Sequence, residues 1–423
     1  MKKWYKLDNS AIIYTSARGR DYASLYRITA VLKEIVLPDI LQEAVNSVSG
    51  RFPYYLVKLR KGAFWHYLEE VDIPPKVKSD IANPCKPIDL KEDGGLMLRV
   101  YYYNNKVSVE FFHALTDGYG AMIFLKTLVS EYLSRAGIIE KLENNAGELF
   151  DVGEPPQPEE YEDSYFKYGK SNFQMPTRQK RAFRFRGTSE IQHTLNIITG
   201  IADVKQVIGK AKSHNVSVTE YLTAVLMEVY YERQKYEQHL AEKPIRIGVP
   251  VNLRNIFPSR TMRNFIMMSS PFIDPNLGDY TFGEILYDIK NYMKYWLNPK
   301  FLRAQMYMNI RTETNPFIRP IPLFLKSYIV KQFYKRIGVR QNTAQISNVG
   351  IFKVPEHMQD HIERIEVLMG KPFSHSPNCG VITYRDKMSI TFCGCIKETN
   401  IEREFFRKLV KSGIHVKIES NKI

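Results

Sequence analysis

The chain has 423 residues, 44% of them hydrophobic and 25% charged, with a formal net charge of +15. That profile describes a globular protein with a real core, long enough for two lobes. It excludes a membrane span, which needs about 18 uninterrupted apolar residues, and a disulfide framework, for which four cysteines are too few.

The Lys and Arg residues are dispersed, and no zinc-finger or RNA-binding spacing occurs. The basic balance therefore points to a phosphate-bearing small molecule rather than to nucleic acid. The N-terminus is basic, but no apolar run follows it, so a cytoplasmic location is expected.

In chain order, residues 24–36 alternate as a strand, and Pro38-Asp39 opens a helix to about Val48. Leu56–Arg60 and Ala63–Leu68 flank the Lys61-Gly62 turn. Gly95–Tyr103, the Asn104-Asn105 turn and Lys106–Phe112 form a hairpin. A helix follows from Tyr119 to Ala136, with Ala121, Leu125, Leu128 and Tyr132 on one stripe.

Residues 140–163 hold nine acidic residues with Pro155, Pro156 and Pro158, and read as a linker or exposed crossover. Phe166–Arg186 is basic and aromatic. Beyond Ser189 the pattern returns: a helix over Ile201–Ser213, and a capping box Ser217-x-x-Glu220 opening a helix Tyr221–Lys235. A strand over Ile245–Val251 and a helix over Phe282–Trp296 come next. An aromatic and basic helix spans Phe324–Ile337. Strands are expected over Gln345–Val349, Ile365–Met369, Gly380–Tyr384 and Met388–Cys395, and a last helix over Ile401–Ser412.

The fold class is α/β (α+β): two lobes, each a mixed sheet with helices, and an active-site channel between them. The division places an N-terminal lobe at 1–150, the crossover linker at 151–185 and a C-terminal lobe at 186–423.

The most informative residues are His113-Ala114-Leu115-Thr116-Asp117-Gly118. His113 ends the apolar face of the strand 106–112, just where the helix is about to begin. Histidine is suited to moving a proton near neutral pH. Thr116, Asp117 and Gly118 supply turn and cap chemistry. On these six residues alone, a half-buried histidine closing a strand fits as well as a general base.

Taken with their surroundings, these residues resemble the CoA-dependent acyltransferase superfamily, which includes chloramphenicol acetyltransferase, condensation domains and the plant BAHD enzymes. The chain looks most like the microbial alcohol acetyltransferase-like group. The resemblance rests on Leu25-Tyr26-Arg27-Ile28, Arg51-Phe52-Pro53, His113-x-x-x-Asp117-Gly118, Pro250-Val251-Asn252-Leu253-Arg254, Arg263-Asn264-Phe265 and Ser347-Asn348-Val349-Gly350, in that order.

It implies transfer of an acetyl or other acyl group from acyl-CoA, as co-substrate, to a small-molecule alcohol or amine. His113 would be the general base, with no covalent intermediate and no tightly bound cofactor. Asp117 would fix the turn through a salt bridge, with Arg254 as partner; a simple N-cap is the alternative. Ser347 and Asn348 are candidate oxyanion donors, and a plain turn role for them stays open. Gly118 would let the backbone turn tightly and leave room for the pantetheine arm. No individual phosphate-binding residue is assigned.

Phe112 stands where condensation domains carry a first histidine, and the plant Asp-Phe-Gly-Trp-Gly signature is absent. No carrier-protein domain is evident. These departures favour a free-standing transferase with a small-molecule acceptor; a monomer is expected. Carrier-dependent condensation, or a non-catalytic member binding a lipid or partner, are the alternatives.

His357 and His361 have a metal-compatible spacing but no third ligand, so no metal is expected. His375 reads as a surface loop residue, and Cys393-Gly-Cys395 as strand packing. The segment Pro316–Ile337 reads as a packed helix with a basic face; weak contact with a membrane surface, or entry of an apolar substrate, is the alternative.

Overall fold

The computed structural model describes residues 3–17, 24–88, 93–140, 149–170, 180–192, 194–236, 243–336, 341–372 and 374–422. Within them, two large mixed sheets are flanked by helices, and a small antiparallel sheet joins Trp4–Lys6, His66–Glu70 and Val57–Lys61. Among the described residues no helix is long and apolar enough to cross a membrane.

The first large sheet has five strands, in the order Ile362–Leu368, Leu25–Leu32, Lys106–Phe112, Leu98–Tyr103, Val77–Ser79. Every residue of Leu25–Leu32 is buried. Its polar members are matched on the neighbouring strand: Arg27 donates to Glu110, and Thr29 bonds Ser108. The hairpin turn uses Asn104 at a φ of 49°, a conformation asparagine tolerates. The helices Pro38–Arg51 and Gly118–Arg135 pack on one another, and the second also packs on the sheet.

The second large sheet has eight strands. Its path runs Ile266–Ser269, Ile245–Asn252, Ala344–Ile351, Asn378–Tyr384, Lys387–Gly394, Asn196–Asp203, Val416–Ser420, with Phe272–Ile273 also on Ile245–Asn252. Ala344–Ile351 is parallel to both of its neighbours.

Three readings of the sequence change. Ile201–Ser213 is not one helix: Asn196–Asp203 is a strand inside the second sheet, and the helix begins at Val204. Asp203 sets that start by accepting from the Gln206 amide at 2.9 Å. A helix over Pro299–Thr314 and a strand over Val416–Ser420 were not anticipated.

The acidic stretch is also not all exposed crossover. Glu160 is buried and takes a two-pronged bond from Arg51, at 2.7 Å to each oxygen, with the Tyr54 hydroxyl donating at 2.8 Å. Burial opposes its ionisation, but Arg51 and Tyr54 outweigh burial and hold the carboxyl below its ordinary range. Tyr165, Phe183 and Phe185, in the same expected crossover, are buried as well. Residues 171–179 of that crossover lie outside the described residues.

Chain position and lobe do not map one to one. Ile362–Leu368, from the C-terminal half, pairs antiparallel with Leu25–Leu32 and completes the N-terminal sheet. Phe352, Val354 and Met358 join the same core. From this strand Arg364 reaches Glu419 on the last strand at 2.7 Å, tying the sheets together.

Candidate active site at the junction of the lobes

His113 directly follows the strand Lys106–Phe112, and its amide donates to the Ser24 carbonyl at 2.8 Å. Its ring is stacked on Tyr14, with centroids 4.1 Å apart, and lies tilted against Tyr26 at 4.9 Å. Nδ1 lies 3.0 Å from Asn264 Oδ1.

The orientation of that amide follows from its other end. Asn264 Nδ2 donates to the His113 carbonyl at 2.9 Å and to Asp8 Oδ2 at 3.0 Å, and both partners can only accept. Oδ1 must therefore face the imidazole, and Nδ1 must carry the proton. The lone pair is left on Nε2. Burial dominates and pushes the His113 pKa below the usual value of 6.5, despite the opposing charge of Asp117 and bond to Asn264. The ring is thus a neutral base at pH 7, with its free nitrogen defined.

Asp8 is buried, and burial raises its carboxyl to about 6, against the Arg263 guanidinium. At neutral pH it remains an acceptor that holds Asn264.

Asp117 serves two purposes at once. Oδ1 accepts from the amides of Tyr119 and Gly120 at 3.1 and 3.3 Å and caps the helix Gly118–Arg135. Oδ2 accepts from Arg254 Nη1 and from the Phe265 amide, both at 2.8 Å. Arg254 is itself locked by the carbonyls of Thr261 and Arg263 and by Asn252 Oδ1, and lies over the Tyr119 ring at 4.6 Å. Ion pair and cap coexist, and the loop 253–265 of the second half is fastened to the turn that carries His113.

Gly118 faces Val349. A Cβ on Gly118 would stand 2.8 Å from Val349 Cγ1, so this glycine makes room for the strand Ala344–Ile351. That strand has a register irregularity between Asn348 and Gly350, which places Val349 at a bulge. Gly118→Ala is expected to destabilise the fold by about 1–3 kcal/mol through overpacking. Val349→Ala in the same chain should recover most of that, as read by thermal melting. Equal melting of Gly118→Ala and the wild type would show that the strand moves freely.

Of the candidate oxyanion donors, Asn348 donates one amide hydrogen to Thr219 Oγ1 at 3.0 Å and accepts from the Gly350 amide at 3.1 Å. Ser347 precedes it on the same strand and is partly exposed. His357, His361 and His375 lie away from this cluster: His361 contacts Glu34, and His375 accepts from the Gly187 amide. No metal-ligating group of three His, Cys, Asp or Glu occurs among the described residues.

Sequence reasoning missed Asn264 as a functional residue, although it sits inside the Arg263-Asn264-Phe265 run. It missed Asp8 and Tyr14 altogether, since nothing in the N-terminal segment signals contact with residue 113. It also missed Gly120, where any Cβ would strike Thr116 Oγ1, the Tyr55 hydroxyl and the Met262 carbonyl.

Asn264→Leu tests the tautomer argument. The variant removes three hydrogen bonds, of which the one to Nδ1 bears on the tautomer; at ordinary net strength that one alone should lower turnover about 2- to 10-fold. Nitrogen NMR of the His113 ring should then show a mixture of tautomers. An unchanged ring spectrum would place the control of the proton elsewhere.

No protein-family model matches the chain, and no curated protein matches it in sequence. Solved structures do match, over nearly its whole length. TRI101 of F. graminearum, complexed with coenzyme A and T-2 mycotoxin, is 11% identical with a TM-score of 0.63, covering 99% of each chain. The fold is that of the CoA-dependent acyltransferases and condensation domains.

Polyketide synthase associated protein 5 from Mycobacterium tuberculosis is 13% identical, with a TM-score of 0.61 over 96% of each chain. The condensation domain of the Monacolin K polyketide synthase MokA is 10% identical, with a TM-score of 0.56 over 97% of this chain and 96% of that one. At these identities the likeness establishes the two-lobed architecture alone.

Proposed function

We propose that this protein transfers an acyl group from acyl-CoA to the hydroxyl or amine of a small molecule, with His113 as general base. The observation that carries the reading is the geometry at the His113 ring: Nδ1 lies 3.0 Å from Asn264 Oδ1, while the Asn264 amide nitrogen donates to the His113 carbonyl, an arrangement that puts the proton on Nδ1 and leaves Nε2 to accept one.

Nε2 takes the proton of the acceptor as its oxygen or nitrogen attacks the thioester carbonyl. The same proton then passes to the departing CoA thiolate. No covalent enzyme intermediate is needed. Asp117 and Arg254 hold the turn in place and do not touch substrate. The tetrahedral oxyanion needs a donor, for which the Ser347 hydroxyl and the second amide hydrogen of Asn348 are the candidates. The fold supports the donor assignment indirectly, since the TRI101 structures of the same fold are complexes with coenzyme A.

The test is release of free thiol from a panel of acyl-CoAs offered alcohols and amines, with no carrier protein present. Consumption of acyl-CoA that depends on acceptor supports the proposal. Activity only on a carrier-bound thioester would favour the condensation reading, which the MokA condensation domain of the same fold keeps in view.

A further inference from the structure

One surface of the molecule carries more apolar area than solvent contact explains. The tip of the hairpin formed by Val57–Lys61 and His66–Glu70 exposes Phe64 and Trp65, whose rings lie 6.1 Å apart. Beside it, the segment leading into and along the helix Leu323–Arg336 exposes Phe317, Phe324, Leu325, Tyr328 and Ile329, with Phe317 at 84% and Phe324 at 77%.

The two pieces are joined. The Leu323 amide donates to the Ala63 carbonyl at 2.9 Å, and Lys326 Nζ donates to the Phe64 carbonyl at 3.1 Å. Contiguous exposed aromatics and aliphatics on this scale mark an interaction site.

The charge of the same segment narrows the partner. From Thr314 to Pro355 the chain contains no Asp or Glu, yet it carries Arg319, Lys326, Lys331, Lys335, Arg336, Arg340 and Lys353. Lys61 adds an exposed cation at the hairpin. Exposed aromatic and aliphatic side chains on a segment with this excess of cations match the acyl boundary and anionic headgroups of a bilayer. A second copy of this chain would instead bring two acid-free basic segments together.

We propose that this face docks on an anionic phospholipid bilayer, with Phe64, Trp65, Phe317 and Phe324 entering the interface. The helix Leu323–Arg336 packs on the helix Ala11–Ala17, whose Tyr14 stacks on His113. Docking therefore sets the bilayer beside the candidate active site. The inference stands on surface chemistry and does not depend on acyl transfer.

The experiment is co-sedimentation of the full chain with vesicles of phosphatidylcholine containing about one-third phosphatidylglycerol, against vesicles of phosphatidylcholine alone. Binding is expected to the first, to be at least about tenfold weaker to the second, and to fall as salt rises.

The double variant Phe317→Ser/Phe324→Ser should weaken binding at least about tenfold, since each removes a large apolar side chain from the interface. Trp65→Ser, on the other element, should act in the same direction. Tyr287→Ser/Tyr295→Ser, at exposed tyrosines on the helix Phe282–Trp296, should change nothing. All variants should melt as the wild type does.

The proposal is overturned if the wild type ignores anionic vesicles at low salt, if it binds both compositions equally, or if the tyrosine variant loses as much as the phenylalanine variant. A concentration-dependent dimer that Phe317→Ser/Phe324→Ser dissolves would also overturn it, because the occupant would then be another copy of the chain.

Discussion

Replacing His113 by alanine should lower acceptor-dependent acyl transfer by about 10²- to 10⁴-fold, the usual contribution of a positioned general base. The ring sits between Tyr14 and Tyr26 just past the end of its strand, so secondary structure should survive its loss. Circular dichroism is the control.

The pH profile of the wild type carries the same argument. Burial lowers the His113 pKa, so the neutral base persists to more acidic pH than a free histidine allows. The acid limb of kcat/KM should therefore fall below pH 6.5. Linkage has the matching sign: an unfolded chain binds this proton more readily, so stability is lost as pH falls from 6.5 through the folded value. A His113→Ala enzyme with near-wild-type turnover, or an acid limb above 7.5 or so, would remove His113 from the chemistry.

The second large effect is expected at Asp117. Its side chain is 1% exposed and that of Arg254 is 5% exposed, so the pair lies in a low-dielectric environment. Asp117→Ala leaves Arg254 charged and unpaired, at a cost of about 3–5 kcal/mol. The amides of Tyr119, Gly120 and Phe265 lose their acceptor as well. For a chain of this size the melting temperature should drop by roughly 3–6 °C. Activity should fall with it, because the turn that aims His113 is no longer held.

Asp117→Asn should be milder, since the amide oxygen can still cap the helix. Adding Arg254→Met to Asp117→Ala should cost less than the sum of the two, which is the mark of a coupled pair. Full stability of Asp117→Ala with activity abolished would make Asp117 a direct participant in the reaction.

Local patterns carried much of the architecture. The strand Lys106–Phe112 and the helix Phe282–Trp296 are as the alternation and the 3.6-residue stripe require, and Ser217 and Glu220 form their reciprocal cap. Each of these signals is complete within a few residues. The misreading at Ile201 has the opposite origin. Ile197, Ile198 and Ile201 are β-branched and lean to strand, and pairing with Lys387–Gly394 on one side and Val416–Ser420 on the other fixes that choice up to Asp203. Glu160 was read as solvent-facing because a carboxylate in an acidic, proline-rich run normally is. Its partner Arg51 lies 109 positions away.

The sequence by itself narrowed the chemistry to one candidate. His113, four positions before Asp117 and at the end of a strand, marks a candidate base beside a turn, and on those residues alone a strand-closing histidine fits equally. Only the tertiary structure decided which nitrogen of that base is free. The tautomer depends on Asn264, 151 residues downstream, and on Asp8, near the other end of the chain, meeting at one imidazole. Hydrogen bonds between side chains are set by distances of about 3 Å, and such distances between remote positions exist only once the two lobes have packed. The same packing closed Val349 over Gly118, which no pattern in either segment foretells.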